Sequence, residues 1–162
     1  MKSCLLAIVA AIIVMPASAQ SLKDQLVGTW TLASCNEPNF PACAGNNGLS
    51  MYAANGRYIQ MIAARGRPKV TLPAPPPAGA NFRAEYTPEQ YKSVAAGLFA
   101  NFGTWSVNET NKTVTLHVDG ALFPNIEGTD WVTFTPIISG DEMKTTGQNG
   151  QPGPFVWRRI SK

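Results

Sequence analysis

The residues of this 162-residue chain with most chemistry to offer are one histidine, one pair of cysteines and a set of interleaved aromatics. His117 is the sole histidine and sits in Val114-Thr115-Leu116-His117-Val118-Asp119. Alternation places Val114, Leu116 and Val118 on one face and Thr113, Thr115, His117 and Asp119 on the other. Two readings follow. With the Thr/His face outward, His117 is a solvated surface group. With that face inward, it is a pocket hydrogen-bond donor or a general base working near neutral pH. No carboxylate stands at a spacing that guarantees contact with it, Asp119 being only a possible neighbour.

Cys35 and Cys43 form an even pair close in sequence, which in an exported chain reads as a disulfide. The rival reading is two free thiols or half a metal site, although Cys-x7-Cys beside a single histidine is poor zinc geometry. Arg57, Arg65, Arg67 and Lys69 make a modest basic cluster, read either as a solvated rim or as a trap for an anionic headgroup. The chain has no Gly-x-Ser-x-Gly elbow, phosphate-binding glycine loop or His-Glu-x-x-His. Its few acidic residues are too scattered for a glycosidase dyad. Neither a cofactor nor a metal is therefore expected.

Composition narrows the partners. Hydrophobic residues are 44% and charged residues 14%, the pattern of a packed domain rather than a disordered chain. A net charge of +3, scattered along the sequence, excludes the basic stripe of a nucleic-acid binder. Residues 1–19 read as a secretory leader: Lys2 near the start, an apolar run from Cys4 to Met15, and a small-x-small site at Ala17 and Ala19. That run is too short to span a bilayer core, and no other segment is apolar enough. The expectation is an exported protein, periplasmic or secreted, whose mature domain is residues 20–162.

Short strands and one helix must position these residues. Leu26 to Ser34 alternates as a half-buried strand with Trp30 and Leu32 on one face, after a helical turn at Ser21–Gln25. Leu49–Ala53 and Arg57–Ala64 flank Asn55-Gly56, which reads as a hairpin with both turn residues at positive φ. Arg65–Arg83 is proline-rich and reads as a surface loop. Thr87-Pro88-Glu89-Gln90 spells a capping box. Tyr91, Val94, Ala95, Leu98 and Phe99 then continue at helical spacing, a stripe suited to the barrel wall or mouth. Strands resume at Phe102–Val107, Thr113–Asp119, Asp130–Ile137, Glu142–Thr146 and Phe155–Ile160, with a second Gly/Pro loop at Gln148–Gly153. Eight short strands with hairpin-like links favour an all-β, up-and-down barrel, the helix falling between strands 3 and 4; a two-sheet sandwich is the alternative.

The ordered motifs Leu26–Trp30 (with its Gly-x-Trp), Tyr52 through Gly56-Arg57, Phe102-Gly103-Thr104-Trp105, His117, Gly128-Thr129 and Trp157-Arg158-Arg159 resemble the lipocalin-like domain family over nearly the whole mature chain. The resemblance implies that Gly28 allows close approach at the base and Trp30 plugs it. It also implies that a basic residue of the last strand, Arg158 or Arg159, stacks on the indole. An eight-stranded barrel has room for side chains or for one small ligand. Tyr52, Tyr58, Met61, Trp105, Trp131 and His117 are the candidate lining residues. The leading expectation is a carrier of a small, largely apolar molecule. Its rivals are a barrel isomerase or cyclase with His117 as acid/base, and a ligand-free envelope module; a protein partner is not readable from the sequence.

Overall fold

A computed structural model describes residues 20–35, 40–69, 86–145 and 155–162. The leader, most of the proline-rich loop and the Gln148–Gly153 loop lie outside the described residues. Nine antiparallel strands form one sheet that curls into a nearly closed barrel. They are β1 (Gly28–Cys35), β2 (Gly48–Tyr52), β3 (Arg57–Ala63), β4 (Leu98–Asn108), β5 (Thr113–Ala121), β6 (Asp130–Phe134), β7 (Pro136–Ser139), β8 (Glu142–Thr145) and β9 (Phe155–Ser161). Their order is β6-β5-β4-β3-β2-β1-β9-β8-β7, so neighbours in sequence pair and β1 is joined to β9.

The extra strand comes from dividing a predicted one. Asp130–Ile137 was expected as a single strand; it breaks at Thr135, ahead of Pro136, which has no N–H to donate. The first half pairs with β5 and the second with β8. The sheet therefore ends in two edges, β6 and β7, that are joined through one residue of chain.

Helix α1 (Leu22–Leu26), capped by the Ser21 side chain on the Asp24 N–H, leads into β1 and buries Leu22 and Leu26. The Glu109 carboxylate, just after β4, accepts the backbone N–H groups of Leu22 and Lys23. The Lys23 N–H in particular holds that carboxyl below its usual range. Helix α2 (Pro88–Ala95) has the predicted capping box between Thr87 and Gln90. It ends sooner than its apolar stripe suggested and buries none of its residues, because Leu98 and Phe99 belong to β4. The buried Gly97 makes the turn between them: a Cβ there would lie 3.0 Å from the Ala64 Cβ.

The hairpin at Asn55-Gly56 forms with a different turn from the one expected. Gly56 is at φ 82°, whereas Asn55 is not in the left-handed region. The Gly56 N–H donates to the Ala53 carbonyl and the Ala53 N–H to the Arg57 carbonyl, a three-residue loop closed by a glycine bulge.

Cys35 and Cys43 are joined by a disulfide, with Cα atoms 5.5 Å apart, at the barrel end where β1 finishes. Closing so short a loop removes unfolded-state entropy worth about 2.5 kcal/mol. Replacing both cysteines by alanine is expected to lower unfolding free energy by about that amount. A reductant should produce a similar loss in the parent and none in the variant, as read by urea denaturation.

Candidate functional site

Period-2 alternation fixes what faces inward once Trp30 is known to be completely buried. Cross-strand partners share a face, so Trp30 carries Ser50 inward, Ser50 carries Gln60, and Gln60 carries Asn101. The next level holds Gly28, Tyr52, Tyr58 and Gly103. The interior therefore has a polar row at mid-strand, Ser50-Gln60-Asn101, with an aromatic layer on its base side.

That layer is Tyr52, Tyr58 and Trp105. The tyrosine rings stack at 6.4 Å, and Trp105 meets Tyr52 edge-on at 5.5 Å. The Trp105 Nε1–H donates to the Ala53 carbonyl. Burial pushes the Tyr52 hydroxyl up to about 12, an effect partly offset by nearby Ser50. Burial also raises the Tyr58 hydroxyl, with Tyr52 and Asp119 adding to the shift. Both are neutral hydrogen-bonding groups at physiological pH.

The unfolded chain releases these protons near pH 10, before the folded chain does. Their contribution to stability is complete below pH 10 and declines as the pH climbs toward about 12. Denaturant midpoints measured across this alkaline window are expected to fall. The fall should be shallower when Tyr52 and Tyr58 are replaced by phenylalanine.

Among the described residues, four buried polar atoms have no hydrogen-bond partner: Ser50 Oγ, Tyr58 Oη, and Oδ1 and Nδ2 of Asn101. Ser50 Oγ interacts with the Tyr52 hydroxyl without a well-formed hydrogen bond between them. Such orphans are rare in native interiors, and each costs on the order of 1–3 kcal/mol. They cluster on three adjacent strands facing one interior. At the disulfide end this interior meets Phe40, Phe99 and Phe155, whose rings contact edge-on at 5.3 and 6.2 Å. These three are only partly buried and form an apolar rim.

The opposite end is sealed. Trp30 donates its indole N–H to the Leu26 carbonyl at 2.9 Å. The Arg159 guanidinium lies 3.9 Å above the indole ring centroid. It donates to the carbonyls of Val27 and Gln25 and lies 3.4 Å from Asp141. Of the two arginines considered for the stack, Arg159 occupies it. An open cleft of about 390 Å³ outside this seal is lined by Gln25, Ile138, Asp141 and Arg159, the arginine being already engaged.

Three expected lining residues are placed elsewhere. Met61 is 49% exposed, on the outer wall between Leu49 and Ala100, because Gln60 and Ile62 hold the inward parity of β3. His117 also faces outward, its Nδ1 2.8 Å from Asp130 Oδ1, since Leu116 and Val118 fill the core side of β5. This position removes the interior acid/base of the isomerase reading. Trp131 is the unpaired residue of a β5–β6 bulge and stands outside the packed core. The basic cluster also separates. Arg57 ion-pairs with Asp119 at one end of β3, while Arg65 donates to the Gly45 carbonyl beyond the other.

The sequence reading missed Ser50 and Asn101. Their signal was present: two polar residues on the inward parity of apolar strands, visible once the register is anchored on Trp30.

A nearly closed antiparallel barrel with a Trp/Arg-sealed base and an aromatic interior is the architecture of a small-molecule-binding barrel. The profile of the lipocalin-like domain family matches residues 25–157, and the chain belongs to that family. No curated protein matches the sequence.

Proposed function

We propose that this protein is an exported carrier that holds one small, largely apolar molecule inside its barrel. The observation that carries the reading is the group of orphaned polar atoms on Ser50, Tyr58 and Asn101 within an otherwise aromatic and aliphatic interior. A barrel filled only for stability is better served by apolar side chains at these positions, since an unmet polar group is a net loss. Ligand pockets characteristically combine apolar walls with a few convergent polar groups, and the layout here has that form. Membership of the lipocalin-like family supports the same reading at the level of the fold.

Export rests on the leader-like residues 1–19 and is consistent with the Cys35–Cys43 disulfide. Native mass spectrometry of the protein purified from its own host is expected to show a mature chain starting at Gln20 with a co-purified small molecule. A mature chain that stays bare, and is not thermally stabilised by any member of a panel of apolar compounds, would remove the carrier reading.

A further inference from the structure

The polar row has a definite chemistry that narrows the ligand class; the argument rests on the carrier reading above. Ser50 and Tyr58 offer hydroxyl groups, and Asn101 offers both an amide N–H donor and a carbonyl acceptor. Asn101 lies two strands from Ser50, with Gln60 of β3 between them, so their backbones are on the order of 10 Å apart across the sheet. Tyr58 stands one inward step from Gln60 along β3. One small head group at mid-depth could engage all three.

Charge decides what that head group is. Arg159, its side chain 7% exposed, is committed to two carbonyls, Asp141 and the Trp30 face, and Arg67, half-buried, lies beside Gly97 at the start of β4, away from the polar row. His117 and Arg57 are bound to carboxylates on the outer wall. A carboxylate placed beside Asn101 would shed its water without gaining a counter-ion, a cost of several kcal/mol. It would also bring no donor for Asn101 Oδ1.

We infer that the barrel selects an uncharged ligand whose hydroxyl or amide group bonds Ser50, Tyr58 and Asn101, its apolar remainder extending toward Phe40, Phe99 and Phe155. Such a group accepts from the Asn101 N–H and from one of the two hydroxyls, and donates to the Asn101 carbonyl or to the other hydroxyl oxygen. A phosphate, sulfate or fatty carboxylate head group is disfavoured at the polar row by the same reasoning.

Matched probes test this: decan-1-ol, decanamide and decanoate at neutral pH, followed by quenching of the barrel tryptophans and by calorimetry. The alcohol or the amide is expected to bind at least about tenfold more tightly than the carboxylate. Tyr58→Phe and Ser50→Ala, which remove one oxygen each and leave the packing in place, should each weaken the neutral probes by about threefold to tenfold. Asn101→Leu should abolish the preference, with thermal unfolding used to confirm that each variant is folded. Decanoate binding as tightly as the neutral probes overturns the inference and leaves the carrier reading standing. Neutral binding unaffected in Tyr58→Phe and Ser50→Ala overturns the inference as well, because the head group then lies elsewhere. Failure of all three probes to bind overturns it, and the carrier reading falls with it only if the native chain is also bare and the wider panel of apolar compounds gives no stabilisation.

Discussion

Replacing Trp30 by alanine is expected to cost about 4 kcal/mol of unfolding free energy, more than any other single truncation in the barrel. The indole is completely buried, so its loss leaves a cavity at the base that the rigid strands on either side cannot close. It also deprives the Leu26 carbonyl of its donor and the Arg159 guanidinium of the ring beneath it. These effects compound because α1 is held to the barrel through that same carbonyl. Trp30→Phe fills most of the volume but offers neither the N–H nor as strong a cation–π face, so about 2 kcal/mol should be lost. In a domain of this size the alanine variant should melt roughly 10–20 °C below the parent. A loss under about 1 kcal/mol in urea titrations would mean that Trp30 is not the keystone of the base.

How much of this was legible in the sequence depends on which physical signal each element carries. Local chemistry read well: the Thr87–Gln90 capping box, the chain reversal at Gly56 and the disulfide pair each depend on residues within a few positions of one another. Signals that two structures share read poorly. Leu98 and Phe99 continue the helical spacing from Tyr91 and also begin a strand. What decides between them is Gly97, whose tight contact with Ala64 turns the chain, a long-range fact that spacing cannot supply. The break at Thr135 had a local signal in Pro136, which has no N–H to donate, but that the two halves go to different partners, β5 and β8, is a long-range fact.

Lining residues were harder still, because inward parity is a global property of the barrel. Met61 and Ile62 are adjacent and both apolar; Ile62 is inward because it shares a face with Gly48 and Phe99 in the ladder anchored by Trp30. Aromatic content drew attention to Tyr52, Tyr58 and Trp105, all of which are buried. The same criterion passed over Ser50 and Asn101, whose small polar side chains resemble surface residues until their strands are paired. The groups that best indicate a ligand are thus the ones an apolar pattern leaves out.

Arg159 and Gly28 are expected to act as one unit, and the prediction is quantitative. The Arg159 side chain is only 7% exposed, and Arg159→Met leaves the carbonyls of Val27 and Gln25 without their donors while losing the contact with Trp30. Unmet carbonyls and the lost cation–π contact together should cost about 3 kcal/mol. Gly28 is at φ 135°, and a Cβ there would fall 2.5 Å from the Ser161 carbonyl oxygen and 2.9 Å from Arg159 Nη1. Gly28→Ala therefore strains the backbone and pushes the guanidinium off its partners, a cost of about 3 kcal/mol by itself. In the double variant the second of these injuries has already happened, so the combined loss should be smaller than the sum by at least about 1 kcal/mol. Urea denaturation of the parent, both single variants and the double variant closes the cycle. Additivity within about 0.5 kcal/mol would show that Gly28 serves only its own backbone and the Ser161 contact. Coupling of the expected size would instead place the Gly28-x-Trp30 opening and the Arg159 of the closing strand in one physical device, the seal of the barrel base.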